Sequence, residues 1–136
     1  MGLTYDPREH AESLQVAVKY GVLPNGWRGA YSHLKHTIYL IEGMSRREER
    51  STLAHELAHA IAGDEFAELN FFSIKQESHA NLIASRTLID FKEYQNAERL
   101  HGGHIPSLAH ELNVTEFMIK NWHKWLGCNP SPIKLL

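Results

Sequence analysis

The 136-residue chain has one cysteine, Cys128, so it cannot build an internal disulfide framework, and a reducing compartment suits it. It has no apolar run near the ~20 residues that a membrane helix needs. Near the N-terminus stand Asp6, Arg8 and Glu9 without an apolar stretch, so no signal peptide is expected and the expected location is the cytoplasm. An excess of one charge is also missing. Lys and Arg number 14 against 16 Asp and Glu, which gives −2 overall and no general attraction to nucleic acid or anionic lipid. With 43% hydrophobic residues and so little net charge, the chain is excluded from the disordered class. It contains no G-x-S-x-G and no Gly-rich phosphate loop, so serine hydrolase and nucleotide-binding chemistries have no support. Histidine, by contrast, is plentiful. Ten residues with metal-binding and proton-carrying side chains direct attention to where they cluster.

The length suits one domain, expected over 1–136, with no internal repeat. A short helix is expected over 8–15, with Ala11 and Leu14 as apolar contacts. Val16-Ala17-Val18, Gly29-Ala30-Tyr31 and residues 36–41 read as strands, the last most clearly because it is β-branched and aromatic. After Gly43 the pattern turns helical. Ser45 and Glu48 form a capping box, and Leu53, Leu57 and Ile61 mark one face of a helix over about 46–62 that Gly63 can close. Ser73 and Gln76 predict a second start, and Ile74, Ala80, Ile83, Ala84, Thr87, Leu88 and Phe91 carry a helix to about 91. A shorter helix follows to Leu100, a break at 101–104, and two helices over 106–112 and 115–126 before a Pro-bearing tail. The expected fold class is α+β. A small antiparallel sheet over about 1–43 packs on a mostly helical, zincin-like core over about 44–100, with a helical cap over about 105–126.

His55-Glu56-Leu57-Ala58-His59 is H-E-x-x-H, in the middle of the best-defined helix. Residues four apart on a helix differ by ~40° in azimuth and ~6 Å in height, so two imidazoles can converge on one metal ion. Glu56 is rotated ~100° from His55. It can therefore lie beside the metal without ligating it, and can deprotonate the attacking water. A catalytic zinc takes a third protein ligand and keeps one position open, whereas a thiolate-rich structural site is beyond a chain with one cysteine. The downstream candidates are Asp64, Glu65, Glu68, Glu77 and His79. The longer pattern H-E-x-x-H-x-x-G-x-x-H fails, because Ala62 and Glu65 stand where Gly and His are required. Glu77 is preferred. It is expected in the first turn of the next long helix, where Ala80 and Ala84 permit close packing, and Asn81 is placed to hydrogen-bond its carboxylate.

Glu49-Arg50-Ser51-Thr52-Leu53 leading into 54–59, then Glu77-Ser78-His79-Ala80-Asn81 and Ala84-Ser85-Arg86-Thr87-Leu88-Ile89, resemble the ImmA/IrrE family of metallopeptidases over roughly residues 5 to 115. The resemblance implies a zinc endopeptidase with His55, His59 and Glu77 as ligands and Glu56 as general base. It implies a protein partner too: a helix-turn-helix repressor of a phage or mobile element, cut or inactivated. One departure is Asp90, where many members carry Pro, which leaves the path out of the second helix open.

The strand at 36–41, as a sheet edge, is expected to align an extended substrate. Tyr39, Tyr94, His101 and His104 are candidate donors to a developing oxyanion. Residues 107–122 look like a helix-turn-helix. Residues 101–136 nevertheless hold only three Lys and two Glu, too little for phosphate binding. The pair is expected to cap the core with Leu108, Leu112, Phe117 and Trp122 buried. The competing expectation is a non-catalytic module that binds a repressor or DNA, with structural metal or none.

Overall fold

A computed structural model describes residues 5–64 and 71–128. The expectations placed on Glu65, Glu68 and the Pro-bearing tail, and on the side chains of Ser73, Ile74 and Cys128, lie outside the described residues.

The order of elements is α1 (Pro7–Ser13), β1 (Ala17–Tyr20), β2 (Gly29–Ser32), β3 (Thr37–Leu40), α2 (Arg46–Ala62), α3 (Phe71–Leu88), α4 (Phe91–His101), α5 (Ile105–Leu112) and α6 (Glu116–Cys128). The fold is α+β, as its sequence implies. Its starts follow local chemistry. Asp6 accepts the Arg8 N–H at 2.9 Å and Pro7 opens α1, while Ser45 and Glu48 complete the reciprocal box that opens α2. α3 begins two residues ahead of Ser73, so Glu77 lies in its second turn rather than its first. Asp90, the departure from the family pattern, accepts the Glu93 N–H at 3.0 Å and caps α4.

The sheet is mixed, not purely antiparallel. β3 is its central strand, antiparallel to β2 and parallel to β1. The connector over 21–28 is long enough to carry the chain two strand spacings of about 4.8 Å past the end of the sheet. The β2–β3 hairpin then folds back and inserts β3 beside β1, which makes that pair parallel. Residues 36–41 are therefore no sheet edge. Among the described residues, the edge beside α2 is β2.

The register puts Gly29, Tyr31, Ile38 and Leu40 on one face, toward α2. Ile38 and Leu40 pack there with Leu53 and Leu57, closed by Ala11 and Val16. Opposite, Ala54 joins Ala84, Leu88, Tyr94, Leu108, Ile119 and Trp122 in a second, helical core. α2 thus lies between the sheet and the other helices and is buried on both sides. Ile61 is exposed, because the apolar face of α2 ends one turn earlier at Leu57. In the C-terminal pair Leu108 and Trp122 are buried and Leu112 is partly buried against the core, as expected. Phe117 is not: 55% of it is exposed, because Met118, Ile119, Trp122 and Leu126 form the buried stripe of α6.

Arg50 ties these layers together. Its Nη1 donates to the carbonyls of Asn113 (2.9 Å) and Leu112 (3.4 Å), and its Nη2 to those of Tyr5 (3.1 Å) and Leu88 (3.4 Å). One guanidinium so satisfies four carbonyls from three segments, which a flexible point charge could not do. Arg50→Met keeps the apolar stem and strands those carbonyls. It is expected to lower unfolding free energy by roughly 2–4 kcal/mol in urea titration; an unchanged midpoint would show that the carbonyls find other donors.

Candidate metal centre

The site begins with how α2 ends. Gly63 adopts φ 72°, and the Asp64 N–H donates back to the His59 carbonyl at 2.9 Å. This left-handed closure returns the chain onto its last turn. It brings Asp64 Oδ2 to 2.9 Å from His59 Nδ1. The other nitrogen of that ring, Nε2, faces Glu77 Oε1 at 2.8 Å. His55 Nε2 lies 2.9 Å from Glu77 Oε2 and 3.2 Å from His59 Nε2.

Glu77 reaches the imidazoles because α2 and α3 run antiparallel and close together. Arg50 meets the carbonyl of Leu88 at one end, and His55 and His59 meet Glu77 at the other. Buried Ala54, Ala58, Ala80 and Ala84 lie along these helices, and small side chains let helix axes approach. One ligand atom from each of His55, His59 and Glu77 lies within 4.8 Å of the others, a group able to hold a metal ion. His79 is exposed and outside this group.

The electrostatics show what the cluster wants between its atoms. Burial disfavours charge on His59, yet the carboxylates of Glu77 and Asp64 outweigh it and push its pKa up to about 9. His55 and His59 hold the Glu77 carboxyl well below the usual carboxylate range. Two imidazoles and a carboxylate thus favour a positive charge in their midst, a role that a divalent cation fills. The donor set, two nitrogens and one oxygen, suits zinc and leaves a position for water or substrate.

Glu56 stands apart from the three. It is only 8% exposed, and burial raises its pKa; His55 and His59 oppose that rise, and Glu77 adds to it. β2 passes directly over it. A Cβ on Gly29 would stand 2.7 Å from Thr52 Cγ2 and 3.2 Å from Glu56 Cγ, so this crossing requires glycine. An open cleft of about 250 Å³ is lined by His55, Glu56, Gly29, Asn81, Phe117 and Met118, with Arg28 beside them.

Asn81 borders the cleft, and among the described residues it makes no hydrogen bond to Glu77. The carboxylate that braces a ligand ring is Asp64, which the sequence offers only as one more ligand candidate; the signal for its position is Gly63 just before it. Of the candidate oxyanion donors, Tyr94 donates to Glu98 and faces His123 inside the helical core, with burial pushing it far above the usual phenol range. His101 pairs with Glu111 and His104 with Ser107. Tyr39 points to the sheet face away from α2. None of the four lines the cleft.

Asp64→Ala frees the His59 ring to rotate. It is expected to weaken zinc affinity about 10–100-fold in a competitive chelator titration, and affinity equal to the parent's would remove Asp64 from that bracing role.

Among curated proteins, none matches the chain. A family model does. The Peptidase_M78 model, described as the IrrE N-terminal-like domain, matches residues 10–122, which takes in the end of α1, the sheet, both helices of the metal group, α4, α5 and the first half of α6. No helix among the described residues is long and apolar enough to cross a membrane. With H-E-x-x-H on α2 and a carboxylate from α3 in contact with both imidazoles, the chain belongs to the Peptidase_M78 family of metallopeptidases.

Proposed function

We propose that the protein is a zinc endopeptidase that cuts a specific protein partner in the cytoplasm, and that it acts as one domain over 1–136. The observation that carries this reading is the convergence of His55, His59 and Glu77 beside a buried carboxylate, Glu56, that lines an open cleft.

His55, His59 and Glu77 would hold the ion, and Asp64 fixes the His59 ring through Nδ1. When bound, zinc polarises the peptide carbonyl and makes water a stronger acid. The chain's own residues supply the proton transfers. As water attacks the carbonyl carbon, a Glu56 carboxylate oxygen takes one proton. It delivers that proton to the amide nitrogen as the C–N bond breaks, which leaves an amine and a carboxylic acid whose remaining proton passes to the solvent. Burial suits Glu56 to this exchange by raising its proton affinity toward the operating pH. Asn81 lines the cleft one turn beyond Glu77, and its amide would serve as a hydrogen-bond partner for a substrate backbone.

β2 supplies an alignment surface. The Arg28 carbonyl accepts the Ile41 N–H at 3.0 Å, so residue 28 turns toward β3. By the alternation of an antiparallel ladder, Gly29 and Tyr31 turn their backbone groups to the open edge. An extended segment can pair there and pass over the metal group. The resemblance noted above points to a helix-turn-helix repressor of a phage or mobile element as the partner. Nucleic acid itself is not part of this reading, since the C-terminal residues 101–136 carry a net charge of only +1.

Elemental analysis and peptide-library cleavage test the reading together. The parent and Glu56→Gln are expected to carry zinc near one per chain, His55→Ala to lose it, and only the parent to cut. Unchanged cutting by Glu56→Gln would remove that residue from its role. Stoichiometric zinc in a parent that cuts neither peptides nor a repressor would make the protein a binding module.

A further inference from the structure

Phe117 is a large apolar side chain, more than half exposed, on a helix whose other large apolar residues Met118, Ile119, Trp122 and Leu126 are buried. It does not stand alone on the surface. With Met118 it lines the same cleft as Gly29, His55 and Glu56. We propose that Phe117 and Met118 select the substrate, by receiving an apolar side chain of the residue that follows the bond being cut. The proposal rests on the peptidase reading above and deepens it.

Apart from Asn81 and the site residues His55 and Glu56, the polar groups along the cleft are already engaged elsewhere. The Thr115 N–H donates to Ser51 Oγ at 3.2 Å, and Thr115 Oγ1 accepts the Met118 N–H at 3.3 Å. Thr52 Oγ1 donates to Met44 Sδ at 3.8 Å, and Arg28 pairs with Glu48 at 3.3 Å. These residues therefore offer the cleft mainly their methyl, methylene and Cα atoms, beside a phenyl ring and a thioether. A charged side chain would lose its water there for one amide partner at most, Asn81, at a cost that burial of carbon does not incur. The volume, about 250 Å³, lies below the roughly 300–1,000 Å³ of pockets for drug-sized ligands and suits one side chain. Methionine adapts to several apolar shapes, so the expected preference covers a class, Leu, Met and Phe, rather than one residue.

The direction follows from β2. It runs alongside α2 from Gly29, next to Thr52 and Glu56, toward His33, next to Gly63. A substrate laid antiparallel on its open edge passes Ser32 first and Gly29 last. The cleft lies at the Gly29 end, so it meets the chain on the C-terminal side of the bond over Glu56.

The test uses zinc-loaded protein and short hydroxamates that place the chelating group ahead of one variable side chain, Leu, Phe, Ala or Asp. Binding is read by calorimetry. The parent is expected to bind the Leu and Phe compounds about tenfold or more tightly than Ala, and Asp most weakly. Phe117→Ser is expected to bring the Leu-to-Ala ratio below about threefold with zinc still near one per chain, which shows the site intact. Phe117→Trp narrows the cleft and is expected to weaken the Phe compound more than the Leu compound, and to lower the Leu-to-Ala ratio as well. Equal affinity across side chains in the parent, or an undiminished ratio in both variants, overturns the proposal and leaves the peptidase reading in place. A parent that takes up no zinc overturns both.

Discussion

Everything at this site depends on bringing a carboxylate from α3 against two imidazoles on α2. The contact is electrostatically favourable once made, yet it needs two helices to approach closely at one end. Alanines at 54, 58, 80 and 84 allow that approach, and Arg50 fastens the other end by donating to the Leu88 carbonyl. The raised His59 and lowered Glu77 express one fact from two sides: the cluster is built around a positive charge. α2 can carry this polar stripe because its remaining faces are anchored, by Leu53 and Leu57 to the sheet and by Ala54 to the helical core.

Much of this was legible in the residues. H-E-x-x-H is a local pattern whose geometry follows from helix pitch alone, and the capping box at Ser45 and the closure at Gly63 set the bounds of α2. Glu77 could be chosen because small residues follow it at helical spacing. Less legible were relations that depend on distant segments. The parallel β1–β3 pairing depends on β3 inserting after β2, which no strand pattern encodes. Asp64 becomes the brace of His59 only through the left-handed turn before it. Phe117 looks like core by composition, and only the packing of α6 shows that its ring faces the cleft.

Gly29 shows how closely fold and site are joined. In the sequence it reads as a weak residue in a short strand. In the structure it is where the sheet passes over Glu56, with Thr52 Cγ2 occupying the space a side chain would need. The same crossing shields the Glu56 carboxyl from water and sets the open edge of β2 beside it, so the proposed proton transfer and substrate alignment would share one contact. The C-terminal helices, which in sequence look like a helix-turn-helix pair expected to cap the core, also line that cleft through Phe117 and Met118.

X-ray absorption at the zinc edge of the loaded protein tests the central claim most directly. The account predicts a first shell of nitrogen and oxygen only at about 2.0–2.2 Å, with the scattering pattern of two imidazoles that falls to one or vanishes in His59→Ala. A sulfur neighbour near 2.3 Å, or a spectrum unmoved by that substitution, would contradict it.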